Sequence, residues 1–379
     1  MNENAKTLWD AYGVVENYYN NEVTDIEALF GNNKEAALRC REFINRQFRS
    51  GHKERVFNIP FLDEYNESGK HLHTVSLYFL GGVLKETFAK RIPIGVKKAI
   101  NSEAEWYGER EYLYSWFLTC LYHDIASCIE TKIPHNVSES QKRLGFYLGK
   151  WNIKYTPFNH QPIHRGAELN CYSEELIKNY FYYMANNGET DHGIIGGYLL
   201  FDRLKKNYIE RTNGRDLIEN YEGRTLRWNI EHPDHFAYIA DAIICHNLWT
   251  RNEGKGSAEY EQYGLDPLII KDRTEKVNIN KWPLQFMLRL LDSLEPIKRF
   301  EGAVPREVLE NIYISGNKHK IMIDWTPWLE EQMGFERWIN TIKGLENWMD
   351  VQMSYDNCDG DGTCRVCILF QESELRRRD

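Results

Sequence analysis

The run from residue 111 to 130 repeats apolar residues at helical spacing, through Leu113, Trp116, Phe117, Leu121 and Ile125. Inside it, in LTCLYHDIAS, His123 and Asp124 stand side by side. Burying two such groups is costly unless something pairs with them. A chain built this way must pack helices around an interior that is not purely apolar. The same feature recurs. His73 opens HTVSLYFLGG, His192 lies in DHGIIGGYLL, His246 ends AIICHN, and Asp292 sits in LLDSLEP. Any one alone reads as a satisfied core histidine or carboxylate. Six such groups on five apolar helical segments point to a helix bundle with inward metal ligands.

Helical periodicity dominates the rest of the chain. It predicts helices over 34–50, 72–90, 111–130 and 174–185, then one capped by Thr190–Asp191, and others over 236–244, 284–297 and 328–349. Segments 51–70, 91–110, 211–233 and 252–282 read as connections, and 131–170 as irregular with short helices. Alternation on both sides of Gly316–Asn317 in NIYISGNKHKIMIDW predicts a β-hairpin. The expected architecture is mainly α: a helical extension at 1–50, a metal-binding helical domain at 51–300, a small α+β appendage at 301–352 and a flexible cysteine-bearing tail at 353–379.

The ordered set His…His-Asp…His…His…Asp, each member in a matching helix, resembles the HD-domain superfamily of metal-dependent phosphohydrolases over roughly residues 65–300. The resemblance implies two divalent transition-metal ions (Mn, Fe, Ni, Co or Zn). His73, His123, Asp124 and Asp292 would hold the first, and His192 and His246 the second, with Asp124 bridging. Adjacent helical residues point ~100° apart, so His123 and Asp124 can both reach a cluster lying against one helix edge. His71 competes with His73, but the stripe of Leu77, Leu80 and Leu84 favours His73 as the inward residue. Cyclic-dinucleotide phosphodiesterases of the superfamily carry a lysine soon after His-Asp and a doubled later histidine. Ala126–Ser127 and Asn247 stand there instead, which points away from that substrate.

The implied function is hydrolysis of a phosphomonoester or phosphodiester, a small and most simply nucleotide-like substrate, by a metal-activated hydroxide. Arg165, Lys298 and Arg299 lie near the site in sequence and could orient a phosphate, although each also reads as solvated charge. Asp191 could relay a proton or simply cap its helix. His235 lies about 16 Å from His246 along one helix, so it reads as a substrate contact or surface residue. His160 and His164 read as loop histidines at the pocket mouth rather than ligands. The same six ligands also resemble myo-inositol oxygenase, a di-iron enzyme. A non-catalytic module binding a phosphorylated ligand is the third reading.

A formal charge of -9 argues against non-specific nucleic-acid binding. No apolar run reaches the ~18 residues of a membrane span, and MNENAKTLWD lacks the plan of a signal peptide. The chain therefore reads as cytoplasmic with reduced cysteines. Cys40, Cys120, Cys128, Cys171 and Cys245 read as small core residues. Cys358, Cys364 and Cys367 read as a thiol-bearing tail, with a zinc site completed by His319 or a redox role as alternatives.

Overall fold

The computed structural model describes residues 6–15, 25–31, 33–49, 70–103, 109–127, 140–221, 224–300, 302–357 and 364–370. Of the expected connection over 51–70, residues 51–69 fall outside them, as do Cys128 and Cys358, while Lys70 opens a helix. The main helices are α1 (Leu8–Tyr12), α2 (Ile26–Phe30), α3 (Asn33–Arg49), α4 (Lys70–Val83), α5 (Arg91–Ala99), α6 (Glu109–His123), α7 (Ser140–Lys150), α8 (Glu174–Asn186), α9 (His192–Thr212), α10 (His232–Cys245), α11 (Pro283–Leu294), α12 (Pro305–Glu310) and α13 (Phe335–Gly344). The main strands are β1 (Leu217–Tyr221), β2 (Arg224–Trp228), β3 (Ile312–Gly316), β4 (Lys320–Trp325), β5 (Val351–Asn357) and β6 (Cys364–Phe370), beside a two-residue parallel pair of 251–252 with 269–270. The chain is mainly helical, and among the described residues no helix is long and apolar enough to cross a membrane.

Helix α10 is the centre of the bundle and packs on α6, α9 and α11, while α4 packs on α6 and α11. Its tightest neighbour is α9, and the sequence explains why. Gly193, Gly196 and Gly197 put one small face on α9. A Cβ at Gly193 would stand 2.7 Å from the Nδ1 of His246 on the Gly193-facing end of α10. At Gly196 it would stand 2.5 Å from the Tyr122 carbonyl oxygen, and at Gly197 2.6 Å from that of Ala240. Backbone therefore meets backbone along this seam, and the ends of α6, α9 and α10 come together.

Several sequence expectations shift. Helix α6 stops at His123 rather than running to 130, so Asp124 lies just past the helix end and the 100° relation does not apply. Residues 91–99 form α5, not a loop. Pro93 falls in its first turn, where a missing N–H costs little, and Gly95 faces the Pro283 ring. Segment 211–233 contains the antiparallel pair β1–β2. The expected helix over 328–349 is interrupted at Gly334, whose φ is +105° and where a Cβ would collide with the Arg299 carbonyl. That glycine seats α13 against the 298–300 turn. Trp338 secures it by donating its indole N–H to the Leu294 carbonyl at 3.1 Å.

The hairpin around Gly316–Asn317 forms as β3–β4. Its sheet has four antiparallel strands in the order β3-β4-β6-β5. The boundary expected at 352/353 thus falls inside one sheet, and residues 364–370 are a strand rather than tail. Cys364 and Cys367 sit in that strand with their backbones about 10 Å apart, too extended for a Cys-x2-Cys zinc loop. Among the described residues, buried apolar side chains from Leu8 to Phe370 form one continuous cluster. The appendage joins the bundle core: the Phe370 ring lies 5.8 Å from that of Phe286.

Asp241 of α10 is buried within this core. Burial pushes its carboxyl up to about 7 despite bonds from the Cys171 backbone and the Asn170 amide. The unfolded chain releases that proton near pH 4 and the folded chain only near pH 7, so this group removes stability as pH rises between those values. Chemical denaturation across pH 4–8 should find Asp241→Asn gaining on wild type through that window and level above it. In a second series, Gly196→Ala should cost about 1–3 kcal/mol. Gly145→Ala, in the open interior of α7, should instead stabilise by ~0.5–1 kcal/mol.

Candidate metal centre

Each ligand stands at or near a helix terminus, and those termini converge. His73 occupies the first turn of α4, His123 ends α6, and Asp124 follows it. His192 opens α9, His246 caps α10, and Asp292 lies in the last turn of α11. Two groups result, each with three ligand atoms within 4.8 Å of one another: His73, His123 and Asp292; and Asp124, His192 and His246. In the first, His73 Nε2 lies 3.1 Å from His123 Nε2 and 3.0 Å from Asp292 Oδ1. Atoms that bind one ion at about 2.0–2.2 Å stand roughly 3 Å apart, and these separations are of that size.

Asp124 joins the two groups. Its Oδ1 is 3.0 Å from His192 Nε2, and its Oδ2 is 3.7 Å from His73 Nε2 and 3.8 Å from His123 Nε2. The carboxylate is 1 % exposed, and among the described residues neither oxygen accepts a well-formed hydrogen bond. A buried carboxylate in that position calls for positive charge. The residues present therefore fit a centre that could hold metal ions.

The local geometry prepares the rings as ligands. His123 Nδ1 lies 2.6 Å from the Cys120 carbonyl, and His246 Nδ1 lies 2.6 Å from the Ile243 carbonyl. Each ring folds back onto the last turn of its own helix and donates from Nδ1, which leaves Nε2 as the ligating lone pair. Burial lowers His123 to about 4 and also holds His246 well below its usual range, so both rings are neutral near pH 7. For Asp124 and Asp292 burial acts upward. The Lys298 ammonium and the neighbouring histidines outweigh it, and both remain ionised.

Around the ligands lies a support that the sequence reading missed. Glu295 is fully buried; its Oε2 is 2.7 Å from His73 Nδ1, and its Oε1 accepts from Ser76 Oγ at 2.6 Å. Ser76 in turn meets the Tyr12 hydroxyl at 3.1 Å, so the N-terminal segment buttresses the site. Spacing was the available signal. Glu295 follows Asp292 by three residues and Ser76 follows His73 by three, so each pair shares a helix face. Lys70, also missed, places Nζ 3.5 Å from Asp124 Oδ2.

The other expected site residues divide. Lys298 reaches the centre, with Nζ 3.1 Å from Asp292 Oδ1 and 3.8 Å from Asp124 Oδ2. Lys298 and Arg299 line a cleft of about 430 Å³ that also touches His246 and Asp292. Asp191 caps α9, its Oδ1 accepting from the Ile194 N–H at 3.0 Å, and it lines a second cleft of about 290 Å³ with His192. Asn247 lies against His192, its Nδ2 2.8 Å from Nε2.

Arg165 and His235 belong to the far end of α10, whose 14 residues span about 20 Å. His235 is no surface or substrate contact: it is 0 % exposed, and its Nε2 is 2.8 Å from Ser115 Oγ. Arg165 adjoins His164, which pairs at 2.7 Å with Glu231 at the start of α10. His160 pairs with Asp234 at 2.6 Å. These loop histidines are tied to carboxylates of the first turn of α10, away from the centre. His71 is buried and its ring is lowered to about 4 by burial and Arg41, but it does not join either ligand group.

Comparison with protein-family models, curated proteins and solved structures finds no match for this chain. Fold and site together define a mainly helical protein with buried His/Asp groups that could hold metal ions.

Glu295 offers a direct test of the support. Glu295→Gln keeps the shape but weakens the bond to His73, and metal affinity should fall about 10–100-fold. Competition against a chelator, with circular dichroism as the folding control, measures it. Unchanged affinity would assign Glu295 to packing alone.

Proposed function

We propose that the protein is a metal-dependent hydrolase of phosphate esters, with two divalent transition-metal ions as cofactors and a small phosphorylated substrate. The observation that carries this reading is the pair of ligand groups joined by Asp124 and flanked by lysines. Bound there, the ions would polarise phosphoryl oxygens and lower the pKa of water. The chain's own residues do the remainder. Asp124 presents one oxygen to each ligand group, and His123 and His246 present neutral nitrogens fixed by their carbonyl bonds. Lys70 and Lys298 set two ammonium groups beside Asp124, where they can hold phosphoryl oxygens as charge develops. Asp191 adjoins His192 without ligating and is the carboxylate assigned to proton transfer. Glu295 keeps His73 in one tautomer.

A mixed His/carboxylate set suits Mn, Fe, Ni, Co or Zn better than Mg, which prefers oxygen ligands and water. A di-iron oxygenase acting on an uncharged polyol would use the same ligands. The cationic lining favours phosphate, because uncharged hydroxyls need no guanidinium or ammonium partners.

Elemental analysis of the purified chain should find close to two transition-metal ions, and a phosphatase and phosphodiesterase panel should detect phosphate or ester release. His123→Ala and Asp124→Ala should each abolish turnover, a loss of at least about a hundredfold, and reduce metal content. Turnover that survives either substitution, or an oxygen-dependent mixed-valent iron signal without phosphate release, would reject the hydrolase.

A further inference from the structure

The cleft beside Asp292 holds more positive charge than one phosphoryl group at the metal centre would use. Lys298 is already engaged with Asp292 and Asp124. Three further cations line the same cleft: Arg289 from α11, Arg299 from the turn after it, and Arg337 from α13. None of the three forms an ion pair among the described residues. Arg289 is 3 % exposed; it donates to the Cys245 carbonyl and lies 5.4 Å over the Trp348 ring, and its Nε has no acceptor among the described residues. Asp241 acts on it through space without pairing. The Nε of Arg299 is likewise buried without an acceptor among the described residues.

The buried Nε groups of Arg289 and Arg299, left without acceptors among the described residues, are costly to assemble. A surplus of basic residues does not explain them, since the whole chain carries a formal charge of -9. Guanidinium favours phosphate because its planar fork matches two oxygens at once. The arrangement also depends on α13, which Gly334 and Trp338 seat against the 294–299 segment. The C-terminal unit therefore contributes to the wall of the site.

We propose that Arg289, Arg299 and Arg337 form a second anion subsite, which makes the substrate a phosphoanhydride, a di- or triphosphate chain with one phosphoryl group at the metal centre and the next on the arginines. This rests on the phosphohydrolase reading and narrows it. Inorganic phosphate fills one position; a diphosphate fills two. Arg337 is the exposed member, so its replacement least endangers folding.

The probe is methylenediphosphonate, whose P–C–P bridge resists hydrolysis, so binding is read whether or not the chain turns anything over. Calorimetry on the full metal-containing chain should find it bound at least about tenfold tighter than orthophosphate. Arg337→Ala should remove most of that difference, with metal content and orthophosphate affinity unchanged, and Arg299→Ala should remove most of it as well. Equal affinity for the two anions, or an unaltered preference in both variants, overturns the subsite. Citrate competing as well as the diphosphonate overturns its assignment to phosphate. An arginine-dependent preference without turnover in any panel keeps the subsite and rejects the hydrolase; phosphate release without the preference does the reverse.

Discussion

The site depends on one carboxylate. Asp124 is buried between three helix ends, and its two oxygens face two different sets of imidazole nitrogens. Such a group is tolerable only where positive charge meets it from several directions. The bundle meets that demand through close approach. Because α9 presents glycine to Tyr122, Ala240 and His246, the helix termini that carry the candidate ligands can come together. A single methyl group on that seam would separate them. Packing and chemistry here are one constraint rather than two.

The same economy governs the orientation of the rings. His123 and His246 use one device twice, an Nδ1 bond to the carbonyl three residues earlier at a helix end. The carbonyls at a helix C-terminus lack the usual partner four residues on, so the ring takes up one of them, the Ile243 carbonyl also accepting the His246 N–H, and gains a fixed tautomer. His73, in a first turn, has no such carbonyl to use. It takes Glu295 instead, and Glu295 is held by Ser76 and two backbone N–H groups. Through Tyr12 that support runs to the N-terminal helices, which share the core of the bundle and are more than an extension of it.

Around the ligands the electrostatics change sign. The chain is acidic as a whole, yet Lys70, Lys298 and three arginines border the two ligand groups. An anionic ligand would feel these cations at short range within a recess, where screening by water is weakest. Arg337 arrives from a helix that the sequence alone assigned to a separate appendage, so the cleft is a joint product of bundle and C-terminal unit.

Sequence by itself determined the candidate ligands and the mainly helical fold. A histidine or aspartate inside an apolar 3.6-residue stripe is visible locally, because burying it without a partner is costly; His73, His123, Asp124, His192, His246 and Asp292 were all legible that way. The Gly316–Asn317 hairpin was legible for the same local reason. Elements whose evidence is non-local were not. The α5 helix hides behind Pro93 and Gly95, the early end of α6 falls where the Tyr122 carbonyl meets Gly196, and β6 becomes a strand by pairing with β4. Arg165 lay near the site in sequence terms, yet its loop is tied through His164 to Glu231 at the other end of α10. Which cations face the cleft was decided only by tertiary structure: Arg289 and Arg337 are 48 positions apart, and no local pattern records the docking that makes them neighbours of one ligand.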